Sequence, residues 1–179
     1  MVRQHAVSVS KLTKTIFVIF VATLLQSVAA QHVRIFDVVP EILLATSALI
    51  GLTVGEREGV FLGFICGCVA DLLFLNTPFM LSAVTFAFVA YVCGLFKGTI
   101  VHGVPGLTFF VTAIASMIGI LIFVTISALF GYGEFFNIRL PLVIFLVGIL
   151  NGLFALILGP LVHWALAESD VPQLRLVKE

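Results

Sequence analysis

A chain of 179 residues that is 61% apolar and only 10% charged falls well short of the roughly 25% charged residues that clothe a soluble domain. Its formal net charge is zero and it holds no basic patch of useful size, which excludes a nucleic-acid-binding surface. The few charges cluster and leave long apolar intervals: Lys14 to Arg34, Gly59 to Phe96 with Asp71 alone inside it, Lys97 to Glu134, and Arg139 to Glu168. A spanning helix needs roughly 20 apolar residues, whereas a membrane barrel shows short alternating segments that this chain lacks. The expected fold is therefore all-α: a polytopic membrane protein with six transmembrane helices in one compact bundle.

The first predicted span covers 15–33, behind a basic head of Arg3, Lys11 and Lys14. It is long for a signal core and further apolar helices follow it, so it reads as a retained span, with Gln26 late in it. The second, 41–54, is short and is opened by Pro40. It must extend through Gly55, cross a thinned bilayer, or form a re-entrant hairpin with the third.

The third span, 59–75, carries the most informative pattern. Gly51, Gly55, Gly59, Gly63 and Gly67 stand four residues apart, and the next step lands on Asp71. A four-residue step keeps side chains close to one helix face. A bare backbone stripe allows another helix to approach closely, and a carboxylate in hydrocarbon needs a partner or water. Gly59, Gly63, Gly67 and Asp71 are thus the expected partner-contact surface, with packing against the first or fourth span of the same chain as the rival. Asp71 alone also fits interfacial solvation or ion handling, although no second buried acid or base completes a proton relay.

Asn76-Thr77-Pro78 is a turn signal before the fourth span, 79–96. Gly94, Gly98, Gly103 and Gly106 mark a loose turn around Lys97. The fifth span covers 107–130 and the sixth 140–167. In the sixth, Gly148, Asn151, Gly152 and Pro160 are expected helix-packing positions alongside Gln26: small residues for close approach, an amide that bonds a neighbouring helix, and a proline kink.

An internal N-terminus places Arg3, Lys11, Lys14, Arg57, Lys97, Arg175 and Lys178 inside, against Arg34 and Arg139 outside, in keeping with the positive-inside tendency. Expected organisation is a cytosolic tail over 1–14, the transmembrane domain over 15–167 and a cytosolic tail over 168–179. The outer loops offer Arg34, Asp37, Glu41, Glu134 and Arg139 either as partner contacts or as solvated helix ends. Glu56, Arg57 and Glu58 form a charged cytosolic turn.

Catalytic patterns do not emerge. Cys66 and Cys68 point to different sides of a helix, and Cys93 stands apart from both. His5, His32, His102 and His163 never repeat at ligand spacing. No nucleophile elbow, phosphate-binding glycine loop or paired carboxylates occur. No enzymatic activity, cofactor or metal is expected.

The run Glu58-Gly59, Gly63, Gly67, Asp71, Pro78 and Tyr91–Gly94–Leu95 resembles the bacterial rod shape-determining protein family MreD. Gln26, Pro40-Glu41, Asn151-Gly152 and Pro160 extend the likeness over about 14–167, while Phe79 departs from the small residue often found after the proline. The resemblance implies a non-catalytic, multi-pass adaptor of the bacterial inner membrane that supports peptidoglycan synthesis and cell shape during elongation. It implies an MreC-like single-span partner. It further implies an MreB-like filament, a SEDS glycosyltransferase and a class B penicillin-binding protein in the same machinery, with membrane lipids around it. The family's fold is also similar to the substrate-binding subunits of energy-coupling-factor transporters, so a membrane-embedded, vitamin-like small-molecule-binding subunit is the alternative. That role needs several polar groups converging on an outward cavity, and polar groups inside the predicted spans are scarce.

Overall fold

The computed structural model describes residues 2–33, 38–73, 80–97, 105–132 and 138–166, with side chains from residue 11 onward. Expectations placed on Arg34, Asp37, Asn76-Thr77-Pro78, Phe79, Gly98, His102, Gly103, Glu134 and the tail 168–179 lie outside the described residues, as do those on the side chains of Arg3 and His5. Among the described residues six helices follow in order: α1 (Val2–His32), α2 (Ile42–Val54), α3 (Glu56–Leu73), α4 (Leu81–Leu95), α5 (Pro105–Leu129) and α6 (Leu140–Leu166). The first helix includes residues 2–14 of the expected cytosolic tail.

The expected six spans are corrected to three. Among the described residues only 11–32 of α1, α5 and α6 combine the length and apolarity needed to cross a bilayer, and they make this a multi-pass membrane protein. At a rise of about 1.5 Å per residue, the 13 residues of α2 and the 15 of α4 reach about 20 and 22 Å, short of a hydrocarbon core about 30 Å thick. The third helix is longer, but Glu56, Arg57, Glu58 and Asp71 interrupt it.

The reason for this difference lies in what surrounds α2. Every residue from Ile42 to Leu52 is buried, and α2 packs against all five other helices. A helix that is apolar all round is buried all round; here protein rather than lipid does the burying. Ile42, Leu43, Leu44 and Ile50 are the centre of a core that extends to Val18 of α1, Phe86 of α4 and Leu158 of α6.

The helices run alternately. Lys11 Nζ bonds Glu58 Oε2 at 2.7 Å, joining the early part of α1 to the start of α3. Lys97, just past α4, donates to the Val54 carbonyl at the end of α2 (2.9 Å). Lys14 Nζ lies 4.8 Å from the Trp164 ring centroid near the end of α6. Lys11, Lys14, Arg57 and Lys97 therefore share one end of the bundle, termed the basic end below. The surface ion pair itself contributes little.

A single residue joins α2 to α3. Gly55 sits at φ 95°, ψ −179°, a region open essentially only to glycine and costing other residues about 1–3 kcal/mol. Its N–H still donates to Gly51 O (2.9 Å) and its carbonyl accepts from Gly59 N (2.8 Å), so the hairpin turns without losing either bond. Gly55→Ala is expected to lower stability by about 1–3 kcal/mol, read as a drop in melting temperature in detergent. An unchanged melting temperature would show that the turn relaxes freely.

Candidate functional site

The glycine stripe lies buried inside the molecule, against α4. A side chain at Gly51 would strike the Ala90 backbone, and one at Gly59 would meet Gly51 Cα at 3.0 Å and Ala90 O at 3.3 Å. At Gly63 it would meet Ala90 Cβ at 2.7 Å and Phe86 O at 2.8 Å; at Gly67 it would run into Ala83. Gly94 returns the approach from α4, facing the backbone of Gly55 and Glu56. The face expected to receive a partner helix is thus covered by α4 of the same chain, which leaves no space there for a second helix.

Asp71 completes this contact. Its Oδ1 accepts from Ser82 N–H (3.2 Å) and its Oδ2 from Ala83 N–H (3.3 Å), all three residues being buried. The first N–H groups of any helix lack intrahelical partners, and the side chain of Met80, which stands in the left-handed region at the N-cap of α4, makes no capping bond. The carboxylate on α3 supplies the missing acceptor and places negative charge where the dipole of α4 favours it. The stripe sets the distance between the helices and Asp71 fixes their register.

Gln26 and Asn151 perform the same task for α2. Gln26 Oε1 accepts from Ile42 N–H (2.6 Å) and Leu43 N–H (3.3 Å), while its Nε2 donates to Pro40 O (3.1 Å). Asn151 Oδ1 accepts from Glu41 N–H (2.9 Å), and its Nδ2 donates to Ser116 Oγ on α5 (3.0 Å). No side chain of α2 itself caps its start. Asn151 lies near the middle of α6, so α2 begins deep within the bundle. Irregular backbone at such depth is tolerated only when protein satisfies it, and these two amides do so.

The other packing positions act through shape. A side chain at Gly148 would meet Met117 Cε at 2.5 Å and Ala113 O at 3.1 Å; one at Gly152 would meet the Phe109 ring at 2.8 Å. Both seat α6 against α5. Pro160 instead stands exposed on the wall of a cavity of about 330 Å³ between α2, α5 and α6.

Ser116 was not singled out in the sequence, where it is one hydroxyl among many. Thr112 and Ser127 on the same helix are fully buried with no hydrogen-bond partner for their hydroxyls. Cys66, Cys68 and Cys93 are free thiols. Among the described residues no three His, Cys, Asp or Glu side chains gather as a metal site would require. What Gln26, Asp71 and Asn151 do chemically is hold backbone: each turns its polar atoms to helix starts, and only Asn151 also reaches another side chain.

Comparison of the chain with protein-family models, with curated proteins and with solved structures gives no match.

Proposed function

We propose that this protein is a non-catalytic adaptor of the bacterial inner membrane, MreD-like, that binds an MreC-like single-span protein and supports peptidoglycan synthesis by the elongation machinery. One observation carries the reading. Of the described residues on which the resemblance rests, Gln26, Pro40, Gly59, Gly63, Gly67, Asp71, Gly94, Asn151 and Gly152 are buried in helix contacts, and Glu41 is partly so. A chain whose polar residues are consumed in building a scaffold acts through its surface. The small-molecule-binding alternative gains nothing from the same residues, because their polar atoms bond helix ends rather than line a cavity.

The exposed members of the set are Glu58, Tyr91, Leu95 and Pro160. Tyr91 and Leu95 continue a stripe with Val84 and Phe88 along α4, each between 41% and 55% exposed. Spacings of three and four place them on one face, which we assign to the partner's single helix. The basic end faces the cytosol by the positive-inside tendency, with the start of α1 and the end of α6 both on that side.

Co-purification from native membranes in mild detergent tests the function and the face separately. The wild-type protein is expected to recover an MreC-like protein, and Phe88→Ala with Tyr91→Ala to recover much less at matched folded levels. Failure of the wild type to retain any elongation component sinks the adaptor reading. Full recovery by the folded double variant sinks only the assignment to α4. Turnover of a cell-wall precursor by the purified protein alone would overturn the non-catalytic reading.

A further inference from the structure

The cavity between α2, α5 and α6 is unused by the adaptor reading, and its position and lining point to an occupant. It is bounded by Leu49, Leu52 and Thr53 of α2, Thr108 of α5, and Gly159 and His163 of α6. Small residues open it. A side chain at Gly159 would only reach ordinary contact with Thr108 Cγ2 (3.6 Å) and Leu49 Cδ2 (4.0 Å), so the absent side chain leaves real space. Ala155, which also lines the cavity, stands eight residues before His163. At the helical rise that separation is about 12 Å, so the cavity is elongated along α6.

Its lining selects carbon. The Thr53 hydroxyl is committed to Leu49 O (2.8 Å), and leucine, alanine, glycine and proline make up most of the rest. Polar ligands lose hydrogen bonds in such a space, and water is held only where several polar partners converge. The volume lies at the small end of the roughly 300–1,000 Å³ range of ligand sites, enough for one chain and not for a whole lipid.

The cavity reaches the basic end, where Pro160 and His163 of its lining are exposed, and Leu156 continues the exposed rim along α6. Next to His163 stands Trp164, the single tryptophan of the chain, exposed and with Lys14 over its ring. Tryptophan and lysine together mark headgroup depth. With Lys11 paired to Glu58, Lys14, Arg57 and Lys97 outnumber Glu56 at this end, and basic residues near the surface attract anionic headgroups.

We infer that this cavity receives one acyl chain of an anionic phospholipid whose headgroup rests beside Lys14 at the basic end. The site stands independently of the adaptor reading.

The test uses the full chain in bilayers of phosphatidylcholine doped with phosphatidylglycerol bearing a photoreactive group on one chain, with adducts mapped by mass spectrometry. Leu49 and Leu52 are 4% and 7% exposed, so bulk lipid does not reach them and adducts there report entry. Adducts on Leu49 or Leu52 are expected, reduced roughly fivefold when the photoreactive lipid is phosphatidylcholine. Gly159→Leu is expected to abolish them while leaving adducts on exposed Leu153 and Ile157. Lys14→Gln, which removes the charge over the Trp164 ring but touches no residue lining the cavity, is expected to erase the preference for phosphatidylglycerol. Adducts confined to Leu153, Ile157 and other exposed residues would overturn the site. So would equal labelling of Leu49 by both lipids, or a preference unaltered in Lys14→Gln.

Discussion

Gly67→Leu is expected to eliminate folded, monodisperse protein. A Cβ at this position would collide with Ala83 Cα, and would lie 2.5 Å from Ser82 O and 2.6 Å from Ala83 N. All of these are backbone atoms, so no side chain can swing aside. Overpacking a tight core costs about 1–3 kcal/mol and sometimes more. Here the displaced segment is also the one whose Ser82 and Ala83 N–H groups bond Asp71. Moving it strands a buried carboxylate, and an unsatisfied buried group costs a further 1–3 kcal/mol or so, with charged groups at the upper end. Together these come to about 2–6 kcal/mol or more, which reaches the lower end of the roughly 5–15 kcal/mol that holds an ordinary domain folded. Gly106→Leu is the control, because nothing lies within 4 Å of a side chain there, and its elution and melting should match wild type. Size-exclusion profiles and melting temperatures in detergent decide the matter. A Gly67→Leu protein with wild-type melting would mean that α4 does not sit on the stripe as closely as described.

Helix number and order were legible because charges and turn residues punctuate the chain, and both helices and lipid demand apolar length between them. The number of spans was not. Apolar length is the same signal whether a segment is wrapped by lipid or by other helices, and α2, buried from Ile42 to Leu52, has the composition of a span without its reach. The stripe at Gly59, Gly63 and Gly67 announced a close approach but not its occupant, because small residues fit any backbone. The occupant is the next helix in the chain. Gln26, Asp71 and Asn151 stood out as polar groups within apolar segments, yet their partners were hidden for a simple reason: they are mostly backbone N–H groups, which nearly every residue has. Only the depth at which α2 and α4 begin distinguishes Ile42, Leu43, Ser82 and Ala83 as donors needing outside help. Ser116 was illegible in the same way, its hydroxyl becoming distinct only when α6 brings Asn151 to it.

Removing the Gln26 side-chain amide should be the most costly single loss of a polar group in the molecule. Gln26→Leu keeps an apolar side chain of similar bulk, one atom shorter, but leaves three buried backbone groups bare: Ile42 N–H, Leu43 N–H and Pro40 O. At about 1–3 kcal/mol for each unsatisfied group, with partial relaxation, the expected destabilisation is about 3 kcal/mol or more. Asn151→Leu bares Glu41 N–H and the Ser116 hydroxyl, and the hydroxyl can rotate to a carbonyl within its own helix, so the loss should be smaller. Gln26→Glu separates capping from simple packing. Its carboxyl group still accepts from both N–H groups at the positive end of α2, but its second oxygen is buried and faces Pro40 O, so it can bond that carbonyl only when protonated and should retain more stability than the leucine variant at acid pH. Because both amides hold one helix start, the Gln26→Leu, Asn151→Leu double variant should lose less than the sum of the singles, with a coupling of about 0.5–3 kcal/mol. Unfolding in detergent gives the energies, and hydrogen exchange at residues 41–43 gives the location. If Gln26→Leu melts with wild type and the amides of 41–43 stay protected, α2 holds its own start and the capping assignment fails; if the losses of the two singles simply add, the amides act on separate structures rather than on one.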